Sequence, residues 1–161
     1  MPEVLHCDEF VNADDIAKGL SPFNPESVAI EAGRIMLNRI KHLLNENKTF
    51  AFETTLATRS YVGLIKEARE EGYSIVLVYV WLQSADLAKQ RVEKRVKEGG
   101  HNIPTAVIER RYVIGKENFI NLYKDILDDW FLIDNSGATM QKFASSKERL
   151  DNEKYKEFIG A

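Results

Sequence analysis

Apolar positions along the chain alternate between strand-like and helix-like spacing, and each change predicts a new element. Phe10–Ala13 is a short strand candidate ending in acidic residues, followed by a short helix over DIAKGL. From Asn24 to Lys48 the spacing is helical, with Val28, Ala32, Ile35, Met36, Ile40, Leu43 and Leu44 on one face. Asn24 is the expected cap and Pro25 suits the first turn. TFAFETT is a short strand rich in Phe and Thr, and RSYVGLIKEAREEG a helix stopped by Gly72. YSIVLVYVWL is a continuous apolar, β-branched run, the pattern of a parallel strand covered on both faces. SADLAKQRVEKRVKEGG predicts a helix capped by Ser84 and ended by Gly99-Gly100. After the loop HNIP, a long helix runs from Pro104 to Leu127 with Ile108, Tyr112, Phe119, Leu122, Tyr123 and Ile126 as its apolar face. DWFLIDNSG is a last strand entering a turn, QKFAS an edge strand and NEKYKEFI a short terminal helix.

Strands alternating with helices predict βαβ units and a mostly parallel α/β sheet. With 161 residues and no evident linker, repeat or low-complexity stretch, a single domain spanning 1–161 is expected. The net charge of −3 argues against a bulk field for nucleic acid. No apolar run is long enough for a membrane span, and no signal-peptide pattern starts the chain. The single cysteine, Cys7, excludes an intrachain disulfide and fits a reducing compartment, so the expected location is cytoplasmic.

In open α/β sheets, ligands bind beyond the carboxyl ends of the strands. Here those ends carry Asn12, Asp14 and Asp15, then Glu53, Thr54, Thr55 and Arg59, and finally Asp134, Asn135 and Ser136. Asp14 or Asp15 could equally cap a short helix. Glu53 directly follows Phe50-Ala51-Phe52, where a carboxylate is expected to be partly desolvated and to need a partner or a role. A basic group stands apart. Arg91 and Arg95 share a helix face at i,i+4, His101 lies in the next loop, and Arg110-Arg111 follow early in the long helix. Solvated charge is the plain reading; a cluster binding phosphate oxygens is the functional one. Acids facing arginines suit phosphoryl transfer, with a carboxylate taking the acceptor proton and cations balancing the moving phosphoryl charge. The usual phosphate cradle, G-x-x-x-x-G-K-[ST], does not occur in these residues; Gly115-Lys116 is followed by Glu117 within a predicted helix. No metal-ligand set is evident.

FVNADDIAKGLSPFNPESVAIEAGRIM, FAFETTLATRSY, LVYVWLQSADLAKQRVEKRVKEGGHNIP and DNSG, in this order, resemble the zeta toxin family of P-loop kinases, and within it the small chromosomal branch of predicted ATPases. The resemblance runs from Glu9 to Gly137 and implies a three-layer P-loop kinase-like parallel sheet missing its first βα unit, the one bearing the phosphate loop. It further implies an ATP-dependent small-molecule phosphotransferase. Asp14 resembles the catalytic base, Glu53 and Thr55 the substrate-binding pair with Arg59 beside them, and Arg91 and Arg95 the arginines on ATP phosphates. His101 stands about where other members of the family place a second phosphate-binding cation. The family implies ATP and Mg²⁺, a nucleotide-sugar acceptor such as UDP-N-acetylglucosamine and an antitoxin partner. Without the phosphate loop, weak or no ATP binding is expected, which leaves a non-catalytic remnant binding a nucleotide-sugar or an antitoxin-like partner as the alternative. The missing central strand predicts that the strands at Phe50–Phe52 and Ile75–Trp81 pair directly, are bridged by another segment, or drive self-association.

Overall fold

A computed structural model describes residues 7–100 and 102–160. They fall into two compact units, one ending at Thr54 and the other starting at Thr55.

The first unit is a βα–αβ arrangement. Strand β1 (Glu9–Val11) leads into helix α1 (Ala13–Leu20), a 3₁₀ turn (Pro25–Val28), helix α2 (Ala29–Asn45) and strand β2 (Phe50–Phe52). β1 and β2 pair in parallel, with Glu9 opposite Phe50 and Val11 opposite Phe52. The core-facing stripe of α2 is Ala32, Met36, Ile40, Leu43 and Leu44, all buried as their spacing predicts, whereas Ile35 at its margin stays 38% exposed. Asn24 makes no side-chain cap, because Pro25 opens a 3₁₀ turn and α2 begins only at Ala29. Glu9 and Arg39 join β1 to α2 by an ion pair of 2.7 Å.

The second unit holds helix α3 (Tyr61–Glu70), strand β3 (Val76–Trp81), helices α4 (Ala85–Lys97) and α5 (Thr105–Asn118), strands β4 (Asp129–Asp134) and β5 (Gln141–Ser145), and helix α6 (Asn152–Ile159). β3 and β4 are parallel, and β5 adds antiparallel to β4 with an irregularity between Leu132 and Ile133. Ser84 caps α4 by accepting from the N–H of Leu87, and Gly72 and Gly99 take the left-handed φ that ends a helix. The core gathers Leu56, Ile65, Trp81, Phe119, Trp130 and Leu132 around Phe158 of α6. Phe158 meets the rings of Trp81 and Phe119 edge-on at 5.8 Å each.

Three expectations change. The Pro104–Leu127 helix is not continuous: α5 ends at Asn118 and gives way to a π-helical turn over Phe119–Tyr123. The apolar run of β3 is covered on one face only among the described residues. Leu77, Tyr79 and Trp81 point to the core side, while Val76, Val78 and Val80 remain 55%, 43% and 49% exposed. β2 pairs with β1 and β3 with β4 in separate sheets, so the expected direct pairing of β2 with β3 is not found.

Candidate functional site

The acidic group lies at the carboxyl ends of β1 and β2, which the parallel register brings side by side. Asn12, the residue after β1, organises it with both ends of its amide. Its oxygen caps α1, accepting from the N–H of Asp14 at 2.8 Å and of Asp15 at 3.4 Å. Its nitrogen donates to Glu53 Oε2 at 2.8 Å. The cap is therefore Asn12 and neither aspartate. Both aspartates are exposed in the first turn of α1, where the helix dipole favours negative charge. Asp15 is engaged by Lys18 at 3.1 Å. Glu53 is exposed instead of desolvated, because β2 ends at Phe52 and the next residue already leaves the sheet. The Asn12 bond, not burial, orients its carboxylate.

Thr55 and Arg59 lie on the loop that opens the second unit, and both are exposed. Between them Leu56 is buried to 4% exposure with a left-handed φ of 55°, a conformation costing a non-glycine residue about 1–3 kcal/mol. The loop is held from α5 and its π turn. Asn118, 6% exposed, donates its side-chain N–H to the Leu56 carbonyl at 2.7 Å, and Tyr123 Oη donates to the Thr58 carbonyl at 2.6 Å.

The basic group sits on α4. Arg91 is half-buried and donates from Nη2 to the carbonyl of Asn135, in the turn after β4. Arg95 is exposed, and its side-chain stem lies against Gly100, where a Cβ would sit 2.6 Å from Arg95 Cγ. Arg110 and Arg111 are exposed on α5. Lys89, on the same helix as Arg91, is neutralised by Asp86 at 2.5 Å and Glu109 at 2.9 Å; the hydrogen bonds to these two carboxylates raise its pKa above the ordinary lysine value. His101 lies outside the described residues.

Beside Arg91, the turn Asp134–Gly137 borders a cavity of about 380 Å³ that also touches Gln83, Thr139 and Lys154. Lys154 Nζ meets Asp134 Oδ2 at 2.8 Å, and the Ser136 N–H donates to Asp134 Oδ1 at 2.8 Å. Burial pushes the Asp134 carboxyl up, but the Lys154 and Ser136 hydrogen bonds outweigh it and leave it below the usual carboxylate range. No sequence signal pointed to Lys154, which comes from the terminal helix. Asn118 and Tyr123 were visible only as a polar residue and a core aromatic. Among the described residues no group of three or more His, Cys, Asp and Glu side chains could hold a metal ion. No helix among them is long and apolar enough to cross a membrane.

A family model described as Zeta toxin matches residues 10–156. A Haemophilus influenzae protein described as uncharacterized is 30% identical over 102 residues, covering 63% of this chain and 73% of its own length. A solved chain from the PezAT chromosomal toxin–antitoxin system of Streptococcus pneumoniae superposes with a TM-score of 0.65 at 14% identity, over 94% of this chain and 66% of its own. That likeness is one of fold, and this chain spans about two thirds of the solved protein's length.

Proposed function

The chain belongs to the zeta toxin family, and on that premise we propose that it is a single zeta-toxin-like kinase domain built to move a phosphoryl group from ATP to a hydroxyl of a small acceptor. The carrying observation is the Asn12 bridge at the ends of two paired parallel strands, which caps the helix bearing Asp14 and holds Glu53 at 2.8 Å. In this reading Asp14 takes the proton of the acceptor hydroxyl, and its exposed place in the first turn of α1 leaves the carboxylate open to substrate. Glu53, Thr55 and Arg59 bind the acceptor. Glu53 accepts from its hydroxyl groups, while Arg59 supplies a cation for a phosphate-bearing acceptor such as UDP-N-acetylglucosamine. Arg91 and Arg95, with His101, serve the ATP phosphates. The Asn135 carbonyl aims the Arg91 fork and leaves other guanidinium N–H groups to donate. Bound ATP supplies the phosphoryl group, and no step is assigned to the Mg²⁺ that the family implies.

These residues lack the G-x-x-x-x-G-K-[ST] cradle that provides most phosphate affinity in such folds. The 161-residue chain is therefore expected to bind ATP weakly or not at all. A second reading is a non-catalytic remnant that binds a nucleotide-sugar or an antitoxin-like partner. Calorimetry with ATP and with UDP-N-acetylglucosamine, together with a phosphate-transfer assay on the chain preceded by a phosphate-loop βα unit, separates the two. Transfer that depends on Asp14 supports the kinase; acceptor binding without any transfer supports the remnant. Micromolar ATP affinity for the chain alone would refute the assignment of nucleotide affinity to the cradle.

A further inference from the structure

The loop that carries Thr55 and Arg59 is gripped at three successive points by one stretch of the second unit. At Gly115 of α5 the helix approaches so closely that a Cβ would lie 2.5 Å from the Thr55 carbonyl oxygen. Asn118 then takes the Leu56 carbonyl at 2.7 Å and Tyr123 the Thr58 carbonyl at 2.6 Å. Asn118 and Tyr123 are five residues apart, and an uninterrupted α-helix would turn them about 140° away from each other. The π turn over Phe119–Tyr123, closed by Lys124 N–H donating to the Phe119 carbonyl at 3.0 Å, makes residues at that spacing neighbours on one face. The helix irregularity is therefore what lets both side chains reach the same loop. The loop in turn holds Leu56 in a left-handed conformation, with its side chain in the core and its carbonyl on Asn118. A buried leucine at positive φ persists only where its surroundings over-determine it.

We propose that Asn118 and Tyr123 are positioning residues that lock the Thr55–Thr58 backbone in the conformation presenting Thr55 and Arg59 to the acceptor. The inference rests on the acceptor reading of Thr55 and Arg59 given above. Neither positioning residue touches the acceptor; each acts through a backbone carbonyl.

Two variants test it in the full chain. Tyr123→Phe deletes one hydroxyl and keeps the buried ring. Asn118→Leu keeps similar bulk and deletes the amide. Amide hydrogen exchange is followed at residues 55–60, with β3 and β4 as the internal standard of global fold, and UDP-N-acetylglucosamine is titrated by NMR as the acceptor probe. Expected are exchange in the loop faster by about tenfold, β3 and β4 within about twofold, and probe affinity weaker by about tenfold in each variant. Loop exchange that is unchanged in Tyr123→Phe, which retains the core, overturns the lock. A loosened loop with undiminished probe affinity overturns the presentation role. If the unmodified protein does not bind the probe, the acceptor reading fails, and with it the presentation role, whereas the lock is still decided by exchange alone.

Discussion

Replacing Asn12 by aspartate separates the two tasks that its amide performs. The cap survives, because an aspartate oxygen accepts from the N–H groups of Asp14 and Asp15 as well as an asparagine oxygen does. The added charge at the start of α1 is worth about 0.3–1 kcal/mol in its favour. The Glu53 bond is lost, and an oxygen now stands where the nitrogen donated at 2.8 Å. Two carboxylates about 4 Å apart repel by about 1 kcal/mol in water and about 4 kcal/mol at an effective dielectric of 20. Glu53 is exposed, so the lower figure governs. With the hydrogen bond lost as well, Asn12→Asp is expected to cost about 1–2 kcal/mol locally. That corresponds to about 5–30-fold faster exchange of the amides this corner protects. The double variant Asn12→Asp with Glu53→Gln restores the bond with its polarity reversed, since the new amide donates to the new carboxylate. It is expected within about 0.5 kcal/mol of the parent. Both tryptophans, Trp81 and Trp130, lie beyond Thr55, so their fluorescence is a poor reporter of this change. The proper reporters are the N–H of Ile16, bonded to the Asn12 carbonyl at 3.1 Å, and that of Glu53, bonded to the Val11 carbonyl at 3.3 Å. If single and double variants exchange alike, the bridge carries no coupling and the organising role assigned to Asn12 is wrong.

In the chain preceded by a phosphate-loop unit, Asp14→Asn is expected to lower phosphate transfer by about 10²–10⁴-fold, and Asp15→Asn, which loses only the exposed Lys18 pair, by less than about tenfold; a reversed order in a transfer assay would exchange their roles. Gly115→Ala would ordinarily stabilise a helix by up to about 1 kcal/mol, but its Cβ meets the Thr55 carbonyl oxygen at 2.5 Å, so a lower urea midpoint is expected and a higher one contradicts the close approach. The Asp134–Lys154 pair predicts two pH edges. Asp134 has a lowered pKa in the folded state, so its contribution is complete above the unfolded value of about 3.9 and disappears as pH falls through the folded one. The Asp134 hydrogen bond raises the Lys154 pKa, so its contribution is complete below about 10.4 and disappears as pH rises through the folded value. Stability followed by tryptophan fluorescence should keep this contribution between those edges, and Asp134→Asn should remove its acid limb; an unchanged acid limb counts against the pair.

Burial of Ala32, Met36, Ile40, Leu43 and Leu44 on one face of α2 was legible in the sequence, because a 3.6-residue period of apolar positions has few other ways to leave water. The same holds for the Ser84 cap and the helix stops at Gly72 and Gly99, which depend on chemistry within a few residues. The placement of Asp14 and Glu53 just beyond strand ends was legible too, because it follows from where the apolar runs stop; that the two strands are neighbours was decided by their pairing. What only the tertiary structure decided involves groups far apart in the chain. Asn12 reaches Glu53 across 41 residues, Asn118 reaches Leu56 across 62, and Lys154 reaches Asp134 across 20. No local period encodes such pairs. The interruption of α5 by a π turn is of the same kind: the residues after Asn118 have an apolar pattern compatible with α-helix, and the observed geometry meets the Leu56 and Thr58 carbonyls instead. Hydrophobic periodicity is set by each segment against water, whereas the aim of a polar side chain is set by which backbone groups the fold leaves in need of a partner.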